Sequence, residues 1–378
     1  MSKKILIIDD SALMRKVISD IINSDDRFEV ADTAKNGLEG LDLIVKNYDK
    51  YDAALLDVNM PMLDGPSVLR RLQKSPSKLP VVMSSTETTE GAEITLDCLS
   101  NGAFDFVPKP ENVFELRTEE YKQRLINTLV AATNADASFP TKTVDKPKEE
   151  IPVRPQVDDT AKAQAAEPKK EPVKHEIYKG PVRSKKGNKL IAIACSTGGP
   201  KSLNEVIPFI PKNIDAPILL VQHMPKGFTE TLARRLNEVS EVTVKEATDG
   251  ELIQKGHVYI APGGKHLKVK KTPEGVKTLI SDEPAVVGLK PCANLMYNSL
   301  IGMGYDEITC VVLTGMGADG TEGIGNLGKK ENIYVIAQDK ETSVVYGMPN
   351  MVAKANLTDE IVPLGSIAKA IENNVGVK

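Results

Sequence analysis

Residues 3 to 130 alternate short β-branched runs with longer stretches in which apolar residues return every three or four positions. "KKILIID", "FEVADTA", "YDAALLD", "PVVMSS" and "AFDFV" read as strands; "ALMRKVISDII", "GLEGLDLIVKN", "SVLRRLQ", "AEITLDCLS" and "ELRTEEYKQRLINTLV" read as helices. Five strand–helix repeats predict an open parallel sheet with helices on both faces, a (βα)5 unit whose chemistry belongs at the carboxyl edge. From about Asp136 to Lys186 the periodicity stops, prolines recur from Pro140 to Pro181, and Lys, Glu and Ala fill the gaps. So little apolar surface cannot offset the entropy of ordering, so this stretch reads as an extended, flexible linker. Beyond it "KLIAIAC", "PILLVQH", "ITCVVLT" and "NIYVIAQ" read as strands of a second parallel α/β domain. The expected boundaries are 1–125 for the first domain, 134–187 for the disordered linker and 188–378 for the second.

A chain of 378 residues with 41% apolar content can fill two cores. Its net charge of −4 and the lack of a helix-turn-helix pattern or basic recognition helix argue against nucleic-acid binding. No stretch reaches the ~20 apolar residues that cross a bilayer, and "MSKKILIIDDSA" puts paired aspartates where a signal peptide keeps its apolar run. A cytoplasmic chain without membrane insertion is expected. Cys98, Cys195, Cys292 and Cys310 are scattered and form no CxxC pair, which suits small buried thiols rather than zinc ligands or disulfides.

Polar residues sit where the strands end. Asp9 and Asp10 close the first strand and Asp57 the third, so three carboxylates converge on one rim and repel one another unless a hard divalent cation, most economically Mg²⁺, lies between them. Ser85 at the end of the fourth strand and Lys109 after the fifth add a hydroxyl and a cation. "IIDDS", "LLDVNMPMLDG", Ser85 and "PKP" together resemble the receiver domain of two-component response regulators. The resemblance implies a flavodoxin-like fold in which Asp57 is the phosphoacceptor. It also implies that Asp9, Asp10, Asp57 and the Asn59 carbonyl hold Mg²⁺, that Ser85 and Phe106 switch, and that Lys109 pairs with the phosphoryl group.

In the second domain "STGGP", "QHMPKGF" and "TGMGADG" interrupt apolar strands, and each carries one reactive side chain: Ser196, His223 and Asp319. Hydroxyl, imidazole and carboxylate gathered on one sheet edge support nucleophilic acyl transfer. Gly198 and Gly199 would let the backbone turn and present amides to an oxyanion, with the Met316 amide opposite. Other readings stay open on these residues, since "TGMGADGTEGIG" following a strand also suits a dinucleotide loop. Histidines are scarce: His175 lies in the linker and His257 in an apparent strand, which leaves His223 and His266 at loop-like breaks.

"IACSTGGP", "VQHMPKGFTETLARRLN", "VYIAPGGKHL", "CANLMYNSL" and "LTGMGADGTEG" resemble the catalytic domain of the chemotaxis response-regulator protein-glutamate methylesterases, which also deamidate receptor glutamines. The resemblance implies a modified α/β serine hydrolase in which Ser196 is nucleophile, His223 general base and then acid, and Asp319 the orienting carboxylate. Thr197, His266 and Met316 would lie around the cleft. Its substrates would be methyl-accepting chemotaxis receptors, its phosphodonor a chemotaxis histidine kinase, and hydrolysis itself would need no cofactor. Cys195 stands where Ala is more typical and is expected to point into the core. The unphosphorylated receiver is expected to pack over the cleft edge. A silent ligand-binding module and a receiver-controlled DNA-binding regulator are the rival classes.

Overall fold

The computed structural model of the chain describes residues 2–47, 49–75, 77–86, 88–109, 115–134 and 187–377. Its first domain runs β1 (Lys3–Ile8), α1 (Ala12–Asn23), β2 (Phe28–Ala34), α2 (Gly37–Lys46), β3 (Ala53–Asp57), α3 (Gly65–Leu72), β4 (Val81–Thr86), α4 (Thr89–Ser100), β5 (Asp105–Lys109) and α5 (Glu119–Thr133). The strands pair in parallel in the order β2-β1-β3-β4-β5. This is the expected (βα)5 sheet, with its crevice where the strand order reverses, between β1 and β3. β1 shows no polar alternation because both its faces are covered. Ile5 and Ile7 pack with Val17, Leu125 and Leu129, while Leu6 and Ile8 pack with Ile44, Val68 and Leu96.

Each helix of this domain starts on a residue whose side chain accepts a first-turn amide: Ser11, Asn36, Asp64, Thr88 and Thr118. The cap at Thr118 corrects the expected last helix. Glu115–Arg117 form a separate 3₁₀ turn, and α5 begins only at Glu119 and runs to Thr133, past the boundary expected at 125. The linker expected between 134 and 187 lies, apart from its two ends, outside the described residues.

The second domain comprises β6 (Lys189–Cys195), α6 (Gly199–Val206), β7 (Ile218–Gln222), α7 (Phe228–Val239), β8 (Thr243–Glu246), β9 (His257–Ile260), β10 (His266–Thr272), β11 (Gly275–Ser281), α8 (Ala293–Ser299), β12 (Glu307–Val312), α9 (Thr321–Gly328), β13 (Ile333–Gln338), α10 (Met348–Lys354), β14 (Glu360–Val362) and α11 (Ile367–Val375). Seven of these strands form one parallel sheet in the order β14-β13-β12-β6-β7-β9-β8, and β10 and β11 form an antiparallel hairpin. Here α6, α7 and α9 start on Gly198, Gly227 and Gly320, with no side-chain cap. Among the described residues no helix is long and apolar enough to cross a membrane.

The two domains touch along α4 and β5 of the first. Phe106 stacks on Phe228 with ring centroids 4.6 Å apart, and the Arg124 guanidinium lies 5.9 Å from the Phe106 centroid. Arg234 and Arg235 on α7 pair with Glu93 and Asp97 on α4 at 2.5 and 2.8 Å. A cavity of about 350 Å³ lies between the domains, with Leu72, Leu79 and Phe104 on one side and Gly198, Lys201 and Val344 on the other.

At the amino edge of the second sheet the Lys189 ammonium is almost wholly buried, bonded to Glu307 Oε1 at 2.8 Å and Asn374 O at 2.7 Å. Asn374 Nδ2 in turn donates to Glu307 Oε1 and Thr309 Oγ1. A buried carboxylate that loses its cation has no water to replace it. Lys189→Met should therefore destabilise the second domain by about 3 kcal/mol or more, read as a lower urea midpoint, whereas an unchanged midpoint would show that the pair contributes nothing.

Candidate active site

β6 is the central strand, flanked by β7 and β12, so the residues following these three strands meet at one carboxyl edge. The Ser196 amide donates to Thr314 O at 3.0 Å and the His223 amide to Cys195 O at 3.2 Å, which places Ser196 between the two neighbouring loops. Gly198, at φ +77°, makes the sharp turn into α6. Gly315 is glycine for want of room: a Cβ there would stand 2.9 Å from Ser196 Cβ and 2.4 Å from Met348 Sδ. Thr314, which sequence reasoning missed, braces the serine loop. Its hydroxyl bonds Thr197 O at 3.0 Å, and its own amide donates to Gln338 Oε1 at 2.7 Å.

Asp319 is buried and its carboxylate is crowded with donors. Oδ2 meets His223 Nε2 at 2.8 Å and accepts the Ala293 amide at 2.6 Å. Oδ1 accepts the amides of Asn294 and Gly320, both at 2.9 Å, and the Cys292 thiol at 3.2 Å. Asn294 Oδ1 accepts from Gly320 and Gly323, tying the start of α8 to the start of α9. Burial pushes the carboxyl up, but the His223 hydrogen bond and charge, then the two α8 amides, outweigh it and hold the group at about 2. Cys292 and the first turn of α8 lie in the stretch "CANLMYNSL", but backbone amides such as those of Ala293 and Asn294 carry no sequence signal of their own. Among the described residues the Ser196 hydroxyl and His223 Nδ1 have no hydrogen-bond partner.

The other expected cleft residues divide. The Gly199 amide donates to Ser196 O at 2.7 Å, so it closes the turn and is not free for an oxyanion, contrary to expectation. Among the described residues the amides of Gly198 and Met316 donate to no protein group. His266 is not at a loop. It is the first residue of β10, wholly buried, with Nε2 bonded to Pro284 O at 3.2 Å and Nδ1 unpartnered. Thr197 and Met316 lie under the first domain: Thr197 draws down the Asp105 carboxyl, which burial pushes upward more strongly, and Met316, like Phe104, packs against the cluster containing Val107. Cys195 is buried as expected, and all four cysteines are free and buried.

On the first domain's rim Lys109 Nζ lies 2.8 Å from Asp9 Oδ2 and 2.7 Å from Asp57 Oδ2. Carboxylate oxygens of Asp9, Asp10 and Asp57 fall within 4.8 Å of one another. Burial pushes the Asp57 carboxyl up to about 6 even though Lys109 pulls it down, with the Asp9 charge adding to the rise. The Asn59 amide faces Asp57 Oδ1 at 3.4 Å. Ser85 turns its hydroxyl to Gly91 O in the first turn of α4 and to Thr86 O at the end of β4, and Phe106 is buried in the interdomain stack. Among the described residues Asp9 Oδ2 is buried with Lys109 as its one ion-pair partner, and this acid-rich, oxygen-only set fits a hard divalent cation.

Two family models match the chain: CheB methylesterase over residues 191–371 and response regulator receiver domain over residues 5–119. The protein-glutamate methylesterase/protein-glutamine glutaminase of Geobacillus kaustophilus is 39% identical over 374 residues, covering 99% of both chains. The protein of the same name from Bacillus subtilis is 39% identical over 375 residues and 98% of each. A crystal structure of the Thermotoga maritima CheB methylesterase catalytic domain, at 42% identity, covers 49% of this chain and 97% of its own, with a TM-score of 0.47.

Because the folded Asp319 carboxyl sits at about 2, below its ordinary 3.8, its stabilising contribution is complete above pH ~4 and disappears as pH falls through about 2. The stability gap between the native chain and Asp319→Asn should thus shrink across that acid range in denaturant titrations. A gap that stays constant would contradict the depressed carboxyl.

Proposed function

This chain belongs to the protein-glutamate methylesterase/protein-glutamine glutaminase family, with a receiver domain ahead of the methylesterase domain, and we propose that it hydrolyses glutamyl methyl esters and glutamine amides on chemotaxis receptors through Ser196. The observation that carries the reading is the 2.8 Å contact between His223 and Asp319 on loops either side of the Ser196 strand. Asp319 engages Nε2 and fixes the proton there, so the basic lone pair falls on Nδ1. This reverses the use of the ring in the familiar serine-protease arrangement, where Nδ1 faces the carboxylate. Ser196 Oγ attacks the ester carbonyl as Nδ1 takes its proton, and the Gly198 and Met316 amides face the developing oxyanion. Methanol, or ammonia from glutamine, leaves with the proton returned by Nδ1. Water then attacks the acyl-enzyme by the same route, leaving glutamate and free Ser196. No cofactor enters these steps.

Asp57 is the proposed phosphoacceptor, with a chemotaxis histidine kinase as donor. Asp9, Asp10, Asp57 and the Asn59 carbonyl would hold Mg²⁺, which when bound neutralises charge on the transferred phosphoryl group. Lys109, already between Asp9 and Asp57, is placed to follow that charge. The first domain serves as a cover in the unphosphorylated state, supported by its contacts with Thr197, Met316 and Phe228. A phosphoryl group on Asp57 that draws Ser85 away from α4 would free Phe106 to leave Phe228. The residues between the domains act as the linker that keeps the cover nearby.

Two outcomes test this reading. Methanol release from methyl-labelled receptor fragments should fall by about four orders of magnitude in both Ser196→Ala and His223→Ala, and a fluorophosphonate should label the native chain but not Ser196→Ala; methanol release surviving in Ser196→Ala ends the proposal. Reversing Glu93 and Asp97 to Lys opposite Arg234 and Arg235 should raise basal hydrolysis about 5- to 50-fold through like-charge repulsion, and Asp57→Asn should remove stimulation by a phosphodonor. Unaltered basal rates in the reversed interface would show that the first domain does not obstruct the cleft.

A further inference from the structure

Gln222 is the last residue of β7 and its side chain is almost wholly buried. It faces Cys195 across the strand pair, and the final backbone rung of that pair is the His223 amide to Cys195 O. Beyond that rung the chains diverge, one toward the serine loop and one toward the histidine loop. Gln222 Nε2 spans the divergence, donating to Ser196 O at 3.0 Å and to His223 O at 3.3 Å. The amide thus adds one side-chain rung between the two reactive residues, using both its N–H groups.

Its orientation is fixed from the other end. Cys195 Sγ lies 3.0 Å from Gln222 Oε1, so the thiol donates to the oxygen and turns the NH₂ group toward the two carbonyls. Room for the oxygen comes from Gly199, where a Cβ would stand 1.9 Å from Oε1. The second glycine of "STGGP" therefore makes space for this amide. The motif's close backbone approach is to a side chain of the next strand.

We infer that Gln222 is a positioning residue for hydrolysis, clamping the Ser196 and His223 backbones at a fixed separation while Cys195 locks its amide. The inference rests on the assignment of Ser196 and His223 above. A buried amide meeting three polar partners on the catalytic edge does more than fill the core, because removing its donors frees two loops whose spacing governs proton transfer. Misplacing a reacting pair by about an ångström costs up to about 100-fold in rate.

The test uses full-length protein with a small activated ester and with methylated receptor fragments. Gln222→Met keeps length and bulk but cannot donate. It should lower kcat about 10- to 100-fold on both substrates with KM within about two-fold, and shift the melting temperature little. Gln222→Glu regains a donor only when its carboxyl is protonated, so its rate relative to the native chain should climb as pH is lowered; a purely structural role predicts no such climb. Cys195→Ser, which keeps a donor, should stay near native, and Cys195→Ala should lose a few-fold. Native kcat in Gln222→Met, or a pH-independent Glu-to-native ratio should the Met variant not fold, would overturn the inference. Ser196→Ala run alongside separates the two levels: hydrolysis persisting there removes the nucleophile itself, whereas its loss with an active Gln222→Met removes only the clamp.

Discussion

In the proposed Ser196–His223–Asp319 arrangement the second domain's chemistry hangs on one buried negative charge. Asp319 stays ionised first because of the His223 hydrogen bond and charge, and then because the Ala293 and Asn294 amides at the start of α8 are aimed at it. Desolvation alone would favour the neutral acid, which could still hydrogen-bond but could not favour an imidazolium. The sheet order makes this possible, since β12 and β7 lie on opposite sides of β6 and their loops close over the strand between them. The carboxylate holds the imidazole, and the backbone amide of the same histidine is bonded to Cys195 O at the end of β6, just before Ser196.

The same edge is where the first domain sits. Its contacts are of two kinds: an apolar centre formed by Phe106, Phe228 and Met316, and a charged margin formed by Glu93, Asp97, Arg234 and Arg235. A cleft of about 350 Å³, open to solvent, lies between the domains beside these contacts. An interface bordered by exposed ion pairs and a solvent-open cleft is of the kind that opens without unfolding either side.

Much of this was legible in the sequence where physics acts locally. "KILII" announced a strand covered on both faces, and Asp9, Asp57 and Lys109 stood out as polar residues at strand ends. Ser196, His223 and Asp319 stood out for the same reason. The less legible parts depend on approach between distant segments. Edge strands β8 and β14 are short and partly exposed, so they lack an apolar run. The amides of Ala293 and Asn294 belong to the first turn of α8, and backbone donors carry no sequence signature. His266 resembled a loop residue because the glycines before it end before the hairpin strand begins. The sequence pattern suggests a turn role for Gly199, whereas its φ is unremarkable and the space it leaves is filled from β7.

The buried Lys189 cluster also bears on how the second domain is tethered. The chain enters at Gly187, immediately before β6, and Asn188 is fastened to Asp306 before Lys189 engages the last helix through Asn374. Any tug arriving from the preceding segment is taken up at this anchor, at the far end of the strand from Ser196. The point of entry is thus fixed to the floor of the sheet, at the opposite end of β6 from Ser196.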